Sequence, residues 1–145
     1  MKKTICLGIE STAHTFGCGI IDGKGRIYAN VADAYKTEKG GIHPSEAKLH
    51  HENAKDKVVE DALKIANLKL EDIDLVSFSQ GPGLSPCLLV GIKKAKELAK
   101  AFHATLMSSR MTEIDAEYPI GPSGEWLLDL ADNTVKDNLT EHRLK

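Results

Sequence analysis

Hydrophobic and polar positions follow two different periods along the chain. Thr4 to Ile9 alternates weakly and predicts a strand, followed by the polar turn Glu10-Ser11-Thr12-Ala13-His14. Thr15 to Asp22 predicts a second strand, with Gly17 and Gly19 on one side of it. Asp22-Gly23-Lys24-Gly25 is a hairpin signal, and Arg26 to Ala34 predicts a third strand. Lys36 to Pro44 is rich in turn residues, with Gly40-Gly41 at its centre.

The period then changes. Ser45 reads as an N-cap with Glu46 in the first turn, opening a helix to about Ala66 whose inward face is Ala54, Val58, Ala62, Ile65 and Ala66. Leu75 to Ser79 is apolar on both sides, which suits a central parallel strand. Ser85 to Phe102 predicts a second helix with Leu88, Leu89, Ile92, Ala95, Leu98, Ala99 and Phe102 facing inward, and Thr105 to Ser108 a short fifth strand. Lys93, Lys94, Lys96 and Lys100, with Glu97 among them, read as its solvated face. A three-strand antiparallel meander followed by helix–strand–helix–strand predicts an α/β, ribonuclease-H-like unit, the half-domain of actin and sugar kinases. Fold alone does not give function.

The tail departs from this order. Residues 111–117 are acidic, Pro119 to Gly124 is a breaker cluster, and Glu125 to Leu139 carries Trp126, Leu127, Leu130, Ala131, Val135 and Leu139 at helical spacing. Two parts are therefore expected: a lobe over residues 1–109, and an acidic loop with an amphipathic closing helix over 110–145.

Composition narrows the function classes. With 41% apolar and 28% charged residues, the 145-residue chain suits one globular domain, and a net charge of −2 gives no bulk attraction to nucleic acid or an anionic membrane. An aromatic content of 5% argues against a base-stacking surface. No apolar run is long enough to span a bilayer, and Gly8 and Glu10 interrupt the short apolar start, so a cytoplasmic location is expected. Cys6, Cys18 and Cys87 have no CxxC spacing and lie in apolar segments, which predicts buried, inert thiols.

Three segments carry candidate chemistry. Gly81-Pro82-Gly83 ends the fourth strand where open α/β folds bind ligands, and Gly81 and Gly83 permit close backbone approach. The free N–H groups of the following helix suit an anion, with phosphate the first choice. The Glu10–His14 turn offers successive N–H groups and small hydroxyls as an anion nest. The ligand-cleft candidates are thus Glu10, Ser11, Thr12, His14, Gly81 and Gly83; no catalytic residue is assigned. Each of these two turns, taken by itself, reads better as a plain connection. His43, His50 and His51 invite a metal, but His50 and His51 point about 100° apart on a helix. Exposed or hydrogen-bonded histidines are the better reading, with His51 available to orient the loop. No G-x-x-x-x-G-K-[ST] loop and no nucleophile elbow is present.

Taken in order, Leu7-Gly8-Ile9-Glu10-Ser11-Thr12-Ala13-His14-Thr15-Phe16-Gly17, then Gly40-Gly41-Ile42-His43-Pro44 with His50-His51, then Phe78-Ser79-Gln80-Gly81-Pro82-Gly83 with Pro86 and Val90-Gly91, closely resemble the archaeal and eukaryotic TsaD-like family. That family supplies the catalytic subunit of the KEOPS complex, and the resemblance covers Met1 to about Ala104. It implies an actin/sugar-kinase fold and transfer of threonylcarbamoyl from threonylcarbamoyl-adenylate to N6 of the anticodon-adjacent adenosine of tRNA. It also implies an iron or zinc ion beside the adenylate, a kinase-like partner subunit, and a small dimerising subunit docked on the N-terminal helices.

The family's next motif, N-H-C-x-A-H, has no match. Met111 and Asp115 fall where its histidines belong; Asp115 is a weak candidate ligand and Met111 a poor one. Neither the glycine-rich adenylate loop nor the last aspartate ligand has a counterpart, so the chain itself is expected to bind no metal. The expectation is therefore an N-terminal lobe, inactive in isolation, that meets tRNA through a complex with KEOPS-type subunits or a complementary C-terminal lobe. The alternatives are a non-catalytic scaffold and a truncated gene product.

Overall fold

The computed structural model describes residues 3–110. Its strands are β1 (Ile5–Glu10), β2 (Thr15–Asp22), β3 (Ile27–Ala34), β4 (Leu75–Gly81) and β5 (Thr105–Arg110). The helices are α1 (Pro44–Ala66) and α2 (Ser85–Phe102), with a 3-10 turn at Leu70–Asp72 before β4. The strands form one sheet in the order β3-β2-β1-β4-β5. β1 is antiparallel to β2 and parallel to β4; β3 extends the antiparallel side and β5 the parallel side.

Alternation along the strands sorts the core. Ile5, Leu7 and Ile9 of β1, Phe16, Cys18 and Ile20 of β2, and Val76 and Phe78 of β4 share one cluster with the buried faces of both helices. α1 packs over β2 and β3, α2 over β4, and the helices pack against each other. Cys6, Ile21 and Leu75 form a second, smaller cluster with Met107. All three cysteines are buried thiols. Burial, with Cys6 adding to it, pushes the Cys18 thiol up to about 12, which removes its nucleophilic form.

The meander followed by αβαβ matches the expected order, but four local expectations need correction. α1 begins at Pro44 with His43 as N-cap and no side-chain cap, so Ser45 lies inside the helix. Proline suits this because its missing N–H falls where no intrahelical bond is made. Ile65 and Leu89 are 65% and 52% exposed, outside the inward faces of their helices. Lys94 is 7% exposed rather than solvated. Its ammonium lies 2.8 Å from Asp56 of α1 and 3.1 Å from Glu97, so it bridges the helices. Burial alone lowers a lysine pKa, yet these two carboxylates outweigh it and hold Lys94 above its ordinary value. The closing helix expected over 125–139 and the tail positions Met111 and Asp115 lie outside the described residues.

Candidate functional site

Two turns meet at the C-terminal ends of β1 and β4, which are adjacent and parallel. The β1–β2 turn carries Ser11–His14, and the β4–α2 turn carries Pro82–Leu84. The Leu84 N–H donates to the Thr12 carbonyl at 2.7 Å. A Cβ added to Gly83 would fall 2.4 Å from that carbonyl oxygen and 3.0 Å from Thr12 Cα. Glycine is therefore required here by contact between two backbones. Gly81 is required for another reason, a φ of +154°, and the Gly81–Pro82 bond is cis.

About two turns further along the chain, within α2, Gly91 repeats the arrangement. A Cβ there would lie 2.1 Å from Ser11 Oγ and 2.9 Å from Ser11 Cβ. Ser11 is buried, closed in by α2. Sequence reasoning gave Gly91 no role. The available signal was a glycine inside a helix, which costs about 1 kcal/mol against alanine and so points to close packing.

One donor of the expected anion nest is taken from within the turn. Glu10 folds back so that its Oε1 accepts the Thr12 N–H at 2.6 Å and also the Thr12 hydroxyl. Gly17, opposite Glu10 across the β1–β2 ladder, leaves room beside it. At the start of α2, Leu84 N–H is taken by Thr12, Pro86 has none, and Cys87 and Leu88 N–H both turn back to the Leu84 carbonyl. The pair of turns thus offers a small polar surface with an internal carboxylate, rather than a bare cradle of N–H groups. The Cys87 thiol senses that charge: burial first, then Glu10, raises its pKa.

The structure brings Glu10, Ser11, Thr12 and Gly83 together at this junction, with Gly81 at the exit of β4. His14 is exposed at the far end of the β1–β2 turn, where its carbonyl accepts the Tyr35 N–H at 2.7 Å. The three histidines separate. His43 is exposed, His50 bonds Asp33, and His51 is fully buried edge-on to Phe16, with ring centroids 5.7 Å apart. Burial above all, then the charges of His50 and His14, pushes the His51 pKa down to about 4. Among the described residues no three His, Cys, Asp or Glu side chains converge as a metal site, so this donor set does not fit an iron or zinc ion. No helix of the described residues is long and apolar enough to cross a membrane.

Comparison with known proteins bears on this geometry. The protein-family model for TsaD, tRNA N6-adenosine threonylcarbamoyltransferase, matches residues 26–109. The chain is 46% identical over 106 residues to the tRNA N6-adenosine threonylcarbamoyltransferase of Staphylothermus marinus, covering 70% of this chain and 31% of that one. It is 50% identical over 95 residues to a probable bifunctional tRNA threonylcarbamoyladenosine biosynthesis protein of Thermoplasma volcanium, covering 66% of this chain and 18% of the other. The chain thus spans about a third or less of the length of these relatives. In fold it is similar to YeaZ from Pseudomonas aeruginosa, with a TM-score of 0.59 at 17% identity over 79% of this chain and 47% of that one. With more than half of its residues inside the family match, and with the ribonuclease-H-like, actin-type topology to go with it, the chain belongs to the TsaD family.

Proposed function

We propose that this chain provides the N-terminal lobe for tRNA N6-adenosine threonylcarbamoyl transfer. In this reading the Glu10–His14 and Gly81–Gly83 turns form one wall of a cleft for threonylcarbamoyl-adenylate. The observation that carries it is the Leu84–Thr12 hydrogen bond over Gly83, which fuses the two turns into one surface at the strand ends. Glu10 then acts as an internal anion that releases the Thr12 N–H when the ligand's phosphate arrives. The opposite wall, and an iron or zinc ion with it, comes from outside the described residues. A complementary C-terminal lobe, a kinase-like subunit and a small dimerising subunit are the expected partners, with tRNA engaged through the complex in the cytoplasm. Isothermal calorimetry with a non-hydrolysable threonylcarbamoyl-adenylate analogue tests this reading. Saturable heat that disappears in Gly83→Val supports it; no heat with the folded full chain rejects it.

A second reading is an interaction module without catalysis. It is favoured by Leu49 of α1 and Leu89 of α2, which are 61% and 52% exposed. Co-purification of the small dimerising subunit by a chain that binds no adenylate analogue would select it.

A further inference from the structure

Behind the β1–β2 turn runs a line of titratable groups that the ligand reading does not use. Asp33 Oδ1 lies 3.0 Å from His50 Nε2, and His50 Nδ1 lies 3.1 Å from His51 Nδ1. His51 is 0% exposed, and its Nε2 is a buried side-chain atom with no hydrogen-bond partner. The ring faces the Ala13 backbone and His14, both in the turn. The line therefore starts at an exposed carboxylate and ends against the proposed ligand wall. The Ala13 backbone is near enough to influence the ring but makes no well-formed hydrogen bond to Nε2, and an orphaned buried nitrogen calls for an explanation.

Counting protons supplies one. The line has three gaps to bridge: carboxylate to ring, ring to ring, and ring to turn. Two neutral imidazoles carry only two N–H groups between them. With His50 Nε2–H on Asp33 and His51 Nδ1–H on His50 Nδ1, the Nε2 of His51 faces the turn as a bare lone pair. One added proton completes the set. It binds at His51 Nε2, while the Nδ1 proton of His51 passes to His50 Nδ1. The positive charge then rests on His50, beside Asp33, and the buried His51 ring stays neutral, as its burial demands.

We propose that His51 is a positioning residue for the β1–β2 turn. Uptake of one proton by the Asp33–His50–His51 line converts Nε2 from acceptor to donor, and the donor state draws in the Ala13 carbonyl and sets the backbone of Thr12–His14. The other groups facing the line are His14 from the turn, Tyr35 after β3, and Glu46 and Lys57 from α1. Of these, His14 is the one further imidazole and needs a control. The coupling stands whether or not an adenylate binds, since it is read in the ligand-free chain.

The test is NMR of the full chain between about pH 5 and 8, following the ring nitrogens of His50 and His51 and the backbone amides of residues 12–14. The expected result is one shared midpoint: His51 Nε2 gains its proton, the His51 ring stays neutral, and the turn amides move with it. His14→Gln should keep this response and His50→Gln abolish it. Asp33→Asn, at an exposed site that leaves folding intact, should move the shared midpoint to lower pH. Turn amides that do not follow the ring-nitrogen signals of the line, that titrate undiminished in His50→Gln, or that keep their midpoint in Asp33→Asn would overturn the proposal.

Discussion

Gly83 lies so close to Thr12 that a Cβ on it would fall 2.4 Å from the Thr12 carbonyl oxygen. The obstacle is backbone, so no side-chain rotation relieves it, and Leu84 N–H holds the same carbonyl at 2.7 Å. Gly83→Ala should therefore cost about 1–3 kcal/mol, the range for forced overpacking. Gly41→Ala, with nothing within 4 Å of the added Cβ, should have little effect. Urea unfolding of the two variants makes the comparison; equal stabilities would count against the contact.

Gly91 and Ser11 make the same argument through a side chain. Gly91→Ala drives a Cβ to 2.1 Å from Ser11 Oγ, whereas Ser11→Ala removes that oxygen and leaves its Cβ at 2.9 Å. The double variant should lose less stability than the two single losses added, with a coupling of about 0.5–3 kcal/mol. Simple additivity would show that α2 shifts away from the turn instead.

Lys94 bridges α1 and α2 with its ammonium nearly out of solvent, but its partners Asp56 and Glu97 are 64% and 63% exposed. The exposed partners screen the pair and keep its net contribution small. Lys94→Met keeps the packing stem and should change stability by less than about 1 kcal/mol. Asp56→Asn with Glu97→Gln strips the buried ammonium of both partners and should cost more than Lys94→Met. Equilibrium unfolding of both variants at low salt decides it.

His51 carries a pH signature of its own, separable from the relay in a His50→Gln background. Its folded pKa of about 4 lies below the ordinary 6.5, chiefly through burial. The unfolded chain therefore binds more protons between those values, and stability falls as pH drops from about 6.5 toward 4; without His50 the part due to burial remains. His50→Gln should show this slope in denaturant titrations, and His50→Gln with His51→Gln should lose it. The same slope in both would place the responsible proton elsewhere.

Element order was legible in the sequence because strand and helix periods differ and the turn residues fall between them. Glu10–His14 and Gly81–Gly83 could be picked out as turns at strand ends. That they touch could not, since contact depends on the parallel register of β1 with β4. Lys94 and Leu89 were misplaced for one reason: helical spacing fixes relative angle but not where the buried sector ends, and Asp56 on a neighbouring helix draws Lys94 inward. The pairing of Asp33 with His50 joins residues 17 apart on different elements and left no local mark.

The central claim is that the two turns act as one ligand wall. The most direct measurement is an amide-shift titration of the full chain with the threonylcarbamoyl-adenylate analogue. The account predicts saturable shifts at residues 10–14 and 81–85 together, with one common affinity and with release of the Thr12 N–H from Glu10. Shifts confined to one turn, or located elsewhere on the sheet, would contradict it.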